Sequence, residues 1–593
     1  MVCILSLSAV SLLAQSARNT PTLDANKESA KPAFRNTAPG VPYVGSKVCG
    51  TCHSDVYQRY METGMGRSAS LAIDPAQLAL VSSPVTVQQG SRYFEVSRKG
   101  NALYQSVYEL GPDGQPVYRH SEQMLYAIGS GTAGYTYLVQ RGNRLYEAPL
   151  SYFSALGSWA VSPGYEFKNQ VFDRPAIFQC IVCHTGRARP LAQTDGAYRD
   201  PPVVEEQIAV GCENCHGPGQ MHVQQRLHGA SLTSTIDASI VNPAKLPSWL
   251  ANNICMECHE GGDSRVLRPS KTLFDARPGT PLDRVVSIFR AAPTPASVAE
   301  SPHLAYYWSL TMSRCFLGSG GRMTCFTCHD PHTQPSAEQA VEFFRNKCLT
   351  CHNNLSCKLR LAEREARTPP NNCFGCHMLQ TKAPPGTHAD QTEHRIVASE
   401  GEAPPDSVFH WATAELPDLV QVNAVPDDIR SIPPLTQLQA YQDLATSDPQ
   451  RYQRTLLSVL QRTAGEFPDN PLVLRALVNQ SHAQENEAGR AEAIQELARV
   501  IELGAGTPDD YFKLGGLLAV SDLVTQAIPM VEKAVQLNPY DKEFYPLLVL
   551  CYFSLHQDAT ARLTIRQWLK LFPEDQAKAA AVEKDAAMDY PAQ

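Results

Sequence analysis

The sequence predicts a multidomain chain with three kinds of structure: a mostly α-helical and irregular core arranged around repeated Cys-x-x-Cys-His motifs, an antiparallel β domain inserted into it, and an all-α repeat solenoid at the C-terminal end. Three observations predict it. Fourteen of the 18 cysteines fall into seven Cys-x-x-Cys-His pentapeptides. The first two motifs start 131 residues apart, and part of that interval alternates aromatic or β-branched residues with polar ones. Beyond residue 436 the chain turns to Ala, Leu, Glu and Gln at helical spacing, with no further motif. At 593 residues it is also too long for a single core.

The motifs are Cys49-Gly-Thr-Cys52-His53, Cys180-Ile-Val-Cys183-His184, Cys212-Glu-Asn-Cys215-His216, Cys255-Met-Glu-Cys258-His259, Cys325-Phe-Thr-Cys328-His329, Cys348-Leu-Thr-Cys351-His352 and Cys373-Phe-Gly-Cys376-His377. Two thiols three positions apart can form thioethers with the two vinyl groups on one edge of a haem. The next residue then carries its imidazole beneath the ring as the proximal iron ligand. Seven covalently attached haems c are therefore expected. The rival chemistries, zinc binding by CxxC pairs or thiol redox cycling, have no need of a histidine after every pair.

Each iron has a second axial position. Of 17 histidines, seven are proximal, His482 and His556 belong to the helical region, and His410 lies in a linker. The seven others are His120, His222, His228, His303, His332, His388 and His394. His332 follows His329 by three residues, and His222 follows His216 across a Gly-Pro-Gly turn. Neither can reach the opposite face of its own iron, so each would serve a neighbouring haem. His388 and His394 follow the last motif closely. These four are the expected distal ligands. His120, His228 and His303 are weaker candidates, because a lone histidine is more often a surface or satisfied core residue. Met65, Met124 and Met221 are the alternative donors.

Four cysteines stand outside the motifs. Cys315 and Cys357 lie among the last three motifs, either as a bridge or as two separate buried thiols. Cys551 sits in an apolar helical stretch and reads as core. Cys3 falls in the leader described next.

Along the chain, residues 1–20 read as a signal peptide, with an apolar run over 2–14 that is too short to span a bilayer and a small-residue exit near Ala14 to Ala17. Residues 40–84 hold the first haem segment, and 85–165 the inserted β domain of four to six strands. Its tyrosines (Tyr104, Tyr108, Tyr118, Tyr135, Tyr137, Tyr146) either form a binding surface or pack one face of the sheet on the core. Residues 171–395 carry six motifs in 225 residues, so the porphyrins would supply most of the buried apolar surface. Residues 396–436 are Pro- and acid-rich, a linker by composition. Over 437–590 the prolines at 471, 508, 539 and 573 are spaced 37, 31 and 34 residues apart, the period of tetratricopeptide repeats. Such a solenoid presents a groove to a partner; the alternative is a plain helical cap.

No other segment has 18 consecutive apolar residues, so no transmembrane span is expected in the mature chain, which would act in the periplasm or at the cell surface. The formal charge of −8, with no basic run, gives no reason to expect nucleic-acid binding.

Three segments carry a family resemblance: GCENCHGPGQMH (211–222), SRCF…MTCFTCHDPH (313–332) and CFGCHM…THADQTEHR (373–395). Over roughly residues 44–395 the chain resembles the multihaem cytochrome c superfamily that includes pentahaem nitrite reductases, octahaem hydroxylamine oxidoreductases and tetrahaem electron carriers. The part beyond looks like the tetratricopeptide extensions of other members. The resemblance implies that His222 and His332, and similarly His388 and His394, ligate neighbouring haems. Two departures matter. All seven motifs here end in His, whereas nitrite reductases of this type carry one ending in Lys. The cross-linked tyrosine of the hydroxylamine enzymes has no match.

The expectation is an exported heptahaem cytochrome passing electrons along mostly bis-histidine haems. Its redox partner, another cytochrome or an oxidoreductase, would dock through the repeat region. The alternative is an oxidoreductase acting on a small nitrogen or sulfur compound at one five-coordinate haem. A third reading makes the repeats the main functional part and the haems a sensor, for which seven haems is excessive.

Overall fold

A computed structural model describes residues 34–165, 171–191, 194, 196–229, 236–294, 305–378, 380–381, 391–426, 432–482, 484 and 486–589. The expected signal peptide, Cys3, His303 and His388 lie outside the described residues.

Alternation in the interval after the first motif builds one antiparallel sheet. Its strands are β1 (Ala69–Leu71), β2 (Val85–Gln89), β3 (Arg92–Lys99), β4 (Ala102–Leu110), β5 (Pro116–Ile128), β6 (Gly134–Arg141), β7 (Arg144–Glu147), β8 (Leu150–Phe153) and β9 (Ser158–Val161). The order is β2-β3-β4-β5-β6-β8-β9, with β1 paired to β5 and β7 to β6. The end strands β2 and β9 approach one another, so the sheet nearly closes. Nine strands exceed the four to six read from the pattern. The extra ones are short, and β1 lies upstream of the alternating run, where three residues carry too little periodicity to read.

Period-two alternation places Leu103, Gln105 and Val107 of β4 inside, beside Val96, Met124, Tyr137, Val139 and Leu150. Gln105 is a buried polar residue with its amide satisfied: it donates to the Leu150 carbonyl at 2.7 Å and accepts the Leu150 N–H at 2.8 Å. Tyr118, Tyr137 and Tyr146 belong to this core. Outside it, Tyr93 and Tyr108 stack 5.3 Å apart, with the Arg119 guanidinium 4.4 Å over Tyr108. The tyrosines thus divide between the domain's own core and its outer surface.

At the other end, helices run Pro434–Ser447, Pro449–Glu466, Pro471–His482, Glu487–Glu502, Pro508–Ala519, Val524–Leu537, Phe544–Ser554, Asp558–Leu571 and Gln576–Asp589. Consecutive helices pack against each other in pairs. Pro471 and Pro508 stand at the first position of a helix, where a missing N–H costs nothing, so they open helices. Cys551 is buried among Val478, Leu497, Leu514 and Ala527.

Composition marks 396–436 as a linker, but Leu419–Gln421 pairs with Val286–Ala291, which pairs in turn with Ser264–Leu267. Leu416 and Leu419 are buried with Leu438, Tyr441 and Leu444 of the first solenoid helix. A few apolar residues between prolines suffice for an edge strand, which Pro outside the paired positions does not prevent. The solenoid is anchored at its far end too. Lys542 pairs with Asp173 at 2.5 Å, and Arg141 of β6 donates to the Leu571 carbonyl at 2.7 Å with its guanidinium 4.7 Å over Phe572.

Candidate functional site

Each motif closes as a single helical turn. In the first, fifth and sixth, the histidine N–H donates to the carbonyl of the first cysteine at 2.9, 2.9 and 3.0 Å. Helical spacing places the two thiols on one side with the imidazole following them. Polar residues cap several of these turns. Gly211 N–H donates to Asn214 Oδ1 at 2.8 Å, Thr324 N–H to Thr327 Oγ1 at 3.0 Å, and Gly375 N–H to Asn372 Oδ1 at 3.0 Å.

The turns come together in a defined order. The Cys212 N–H donates to Ser46 Oγ at 3.1 Å, Cys183 Sγ lies 4.0 Å from the Glu257 carbonyl, and the Cys325 N–H donates to Oδ1 of Asn252, in the helix that ends in motif four, at 3.0 Å. Motif one therefore abuts motif three, two abuts four, and four abuts five. Phe344, in the helix leading to the sixth motif, lies 5.4 Å from the His329 ring and 5.6 Å from Phe374 of the seventh. The first junction is tied by Glu213, which is buried inside motif three. Its carboxylate accepts the N–H groups of Val44 at 2.9 Å, Gly45 at 2.8 Å and Gly219 at 2.7 Å, and the Gln207 amide at 3.1 Å.

Three proximal histidines meet three of the expected distal ones. Ring centres of His53 and His222 are 6.4 Å apart with planes 20° from parallel. For His216 and His332 the values are 6.1 Å and 10°, and for His329 and His394 they are 6.2 Å and 27°. Two metal–imidazole bonds of roughly 2.0 Å, with about 1.1 Å from each nitrogen to its ring centre, put the centres about 6.2 Å apart. The centre-to-centre spacing of each pair therefore matches what an iron held by both imidazoles would require. In every pair the distal residue follows a different motif from the one that supplies the proximal residue.

Hydrogen bonds at Nδ1 leave Nε2 as the outward nitrogen. His216 Nδ1 lies 2.8 Å from the Val241 carbonyl, His377 Nδ1 2.7 Å from that of Val397, and His394 Nδ1 2.8 Å from that of Thr392. His222 Nδ1 is 3.0 Å from Asp237 Oδ2 and 3.2 Å from Ser239 Oγ. Burial lowers His216, His259 and His394 below the usual histidine range, and takes His329 down to about 4 with help from the nearby His394 and His259 rings. The neutral imidazole so favoured is the form with a lone pair for a metal.

The remaining expected ligands divide. His228 is exposed at the end of helix Gln220–Leu227, its Nδ1 2.6 Å from the Gln224 carbonyl of its own turn. His120 is corrected outright. It lies buried on β5 with Nδ1 3.0 Å from Glu574 and Nε2 3.1 Å from Glu122, so both ring nitrogens are engaged and neither can meet iron. Met124 is buried in the sheet core. Cys315 and Cys357 are free thiols, each partly buried, so the structure has no bridge between them. One ring escaped the sequence reading: Tyr306, 5.9 Å from His259 and 4.7 Å from His394. No spacing rule links a tyrosine in an ordinary helix to motifs on either side.

Among the described residues no three His, Cys, Asp or Glu side chains converge on a common metal position, and no helix is long and apolar enough to cross a membrane. No family model and no curated protein matches the chain. Among solved structures it is similar to the outer cell wall cytochrome OcwA, at 16% identity over 83% of this chain and 99% of that one, with a TM-score of 0.37. It is also similar to YrrB, a TPR protein with an unusual peptide-binding site, at 15% identity over 27% of this chain and 87% of that one, TM-score 0.22. The MamA protein is 19% identical over 24% of this chain and 84% of that one, TM-score 0.19.

Proposed function

We propose that this chain is an exported heptahaem c-type cytochrome that moves electrons along a row of close-packed haems. The observation that carries the reading is the set of three imidazole pairs, each spaced for one iron: His53 with His222, His216 with His332, and His329 with His394. Covalent haem supplies the one-electron iron couple, and two imidazoles keep that iron low-spin in both oxidation states, so little rearranges on transfer. The protein's part is to hold the ligands neutral and oriented, and to place successive motifs side by side.

A second observation supports a haem-built core. Between residues 317 and 396, which span three motifs, none of the described hydrophobic side chains is buried. Helices there keep their shape without an apolar core of their own. In this reading the remaining motifs, at His184, His259, His352 and His377, each carry a haem as well, with His303 and His388 available as further distal ligands. The solenoid braces the β domain and presents apolar residues such as Leu457, Val520 and Leu537, all exposed, to a redox partner.

A catalytic haem is the second reading, favoured by one contact: a tyrosine ring, Tyr306, stands beside His259, tilted by 43°. Mass spectrometry and electron paramagnetic resonance of the matured protein test both. Seven haem masses with only low-spin ferric signals are expected. A colourless protein, or far fewer haems, overturns the cytochrome. A high-spin component that responds to nitrite or hydroxylamine replaces the carrier with the enzyme.

A further inference from the structure

The three imidazole pairs differ in what holds the outer nitrogen of the distal ligand. His394 Nδ1 meets a backbone carbonyl, that of Thr392, at 2.8 Å. His332 Nδ1 lies 3.6 Å from Asp330 Oδ1, beyond hydrogen-bond reach. His222 alone among the three has a carboxylate within bonding distance, Asp237 Oδ2 at 3.0 Å. A built arrangement fixes that carboxylate. Oδ2 also accepts Arg226 Nη2 at 2.9 Å, while Oδ1 accepts the Ser239 N–H at 2.8 Å and its hydroxyl at 2.5 Å. The proximal His216 donates to the Val241 carbonyl, a neutral acceptor.

A charged acceptor draws the Nδ1 proton more strongly than a carbonyl does, since charge-assisted hydrogen bonds are about twice as strong as neutral ones. Electron density passes through the ring to Nε2, and a more basic imidazole stabilises ferric over ferrous iron. We propose that Asp237 is a positioning residue for the first haem, which orients His222 and makes that haem the lowest in potential of the three bis-histidine sites. This rests on the reading of His222 as an iron ligand. The first motif's segment abuts the third through Glu213, which accepts the Val44 and Gly45 N–H groups, and through Ser46 Oγ, which accepts the Cys212 N–H, so electrons entering at the first haem run downhill into the row. Arg226 tempers the carboxylate charge without removing it, because it shares Oδ2 with the imidazole.

The test uses the full-length matured holoprotein with Asp237→Asn and Asp237→Glu, and His222→Ala as the control. A redox titration followed in the visible spectrum is read beside the electron paramagnetic resonance spectrum. Asp237→Asn should keep every haem low-spin and raise one haem's midpoint. The oxidised-to-reduced ratio of that haem at fixed potential should fall about tenfold, which is 59 mV for a one-electron couple. The g values of one low-spin signal should shift with it, and Asp237→Glu should stay close to the parent. If no midpoint moves in Asp237→Asn, or if one iron simply turns high-spin, the tuning role is overturned. His222→Ala separates the two ideas: irons that all remain low-spin in that variant would remove His222 as a ligand, whatever Asp237 does.

Discussion

His216 and His332 sit with ring centres 6.1 Å apart and planes 10° from parallel, although one closes the third motif and the other follows the fifth. The pattern repeats. The imidazole facing the first motif's histidine follows the third motif, and the imidazole facing the fifth motif's histidine lies beyond the seventh. Each pair thus staples two stretches of chain that share no regular secondary structure. If the chain is the proposed cytochrome, replacing His332 with Ala should turn one haem high-spin and leave the others low-spin, with all haems retained, because the motif cysteines and His216 are untouched. Electron paramagnetic resonance reads this directly. An unchanged low-spin spectrum would show that His332 faces His216 without sharing an iron.

Glu213 offers a second test, on stability. Its carboxylate holds the N–H groups of Val44, Gly45 and Gly219, and truncation leaves these donors without their acceptor. Glu213→Ala should cost about 1–3 kcal/mol, the penalty for leaving buried donors unsatisfied. A thermal melt of the matured protein should show a clear drop, and loss of the first haem's packing should accompany it. A melt superimposable on the parent would remove Glu213 as the tie between motifs one and three.

What could be read from residues alone follows the range of the interactions. Motif turns, the alternating strands from Tyr93 to Phe153 and the proline-punctuated helices are local, so the pattern announces them. Pairing is not local. Nothing in the spacing of His222 says that it meets His53 rather than another proximal residue, because the meeting depends on Glu213 and Cys212 docking the first segment. His120 misled for the same reason: a strand histidine shows no sign that a carboxylate from residue 574 will cover it. The composition of 396–436 likewise hides an edge strand, since two buried leucines weigh little against several prolines.

The His120 contact carries a pH dependence. Burial pushes this histidine down, but the hydrogen bonds it donates to Glu122 and Glu574 outweigh it and the net shift is upward from 6.5. Arg141 stands beside the same cluster and opposes the charge. A group raised on folding stabilises most below its unfolded value and loses that contribution as pH climbs through the folded one. The joint between the β domain and the last solenoid turns should therefore weaken as pH rises above about 6.5. Limited proteolysis across this range should cut the C-terminal helices faster at the alkaline end, and His120→Gln should flatten the profile. A joint that tightens with rising pH contradicts the arrangement.

Cys315 and Cys357 provide a chemical check. Both are free thiols in the structure. Once denatured without reductant, the matured protein should take up an alkylating label at both, as well as at Cys551. Peptide mass spectrometry that found the first two joined and unlabelled would require the segments after the fourth motif to approach differently.

Gly515 tests the solenoid's packing. It lies in helix Pro508–Ala519, and a Cβ there would stand 2.4 Å from Val531 Cγ2 and 3.3 Å from the Ala527 carbonyl of the next helix. Two opposing effects decide the outcome. Alanine improves helix propensity over glycine by up to about 1 kcal/mol. Overpacking a tight contact costs typically 1–3 kcal/mol, and Val531 is β-branched, with few rotamers to escape into. The clash should win, so Gly515→Ala should destabilise the helical region by about 1 kcal/mol and Gly515→Val by more, as measured by denaturant unfolding monitored in the far ultraviolet. An alanine variant that gained stability would mean that helices Pro508–Ala519 and Val524–Leu537 do not approach this closely.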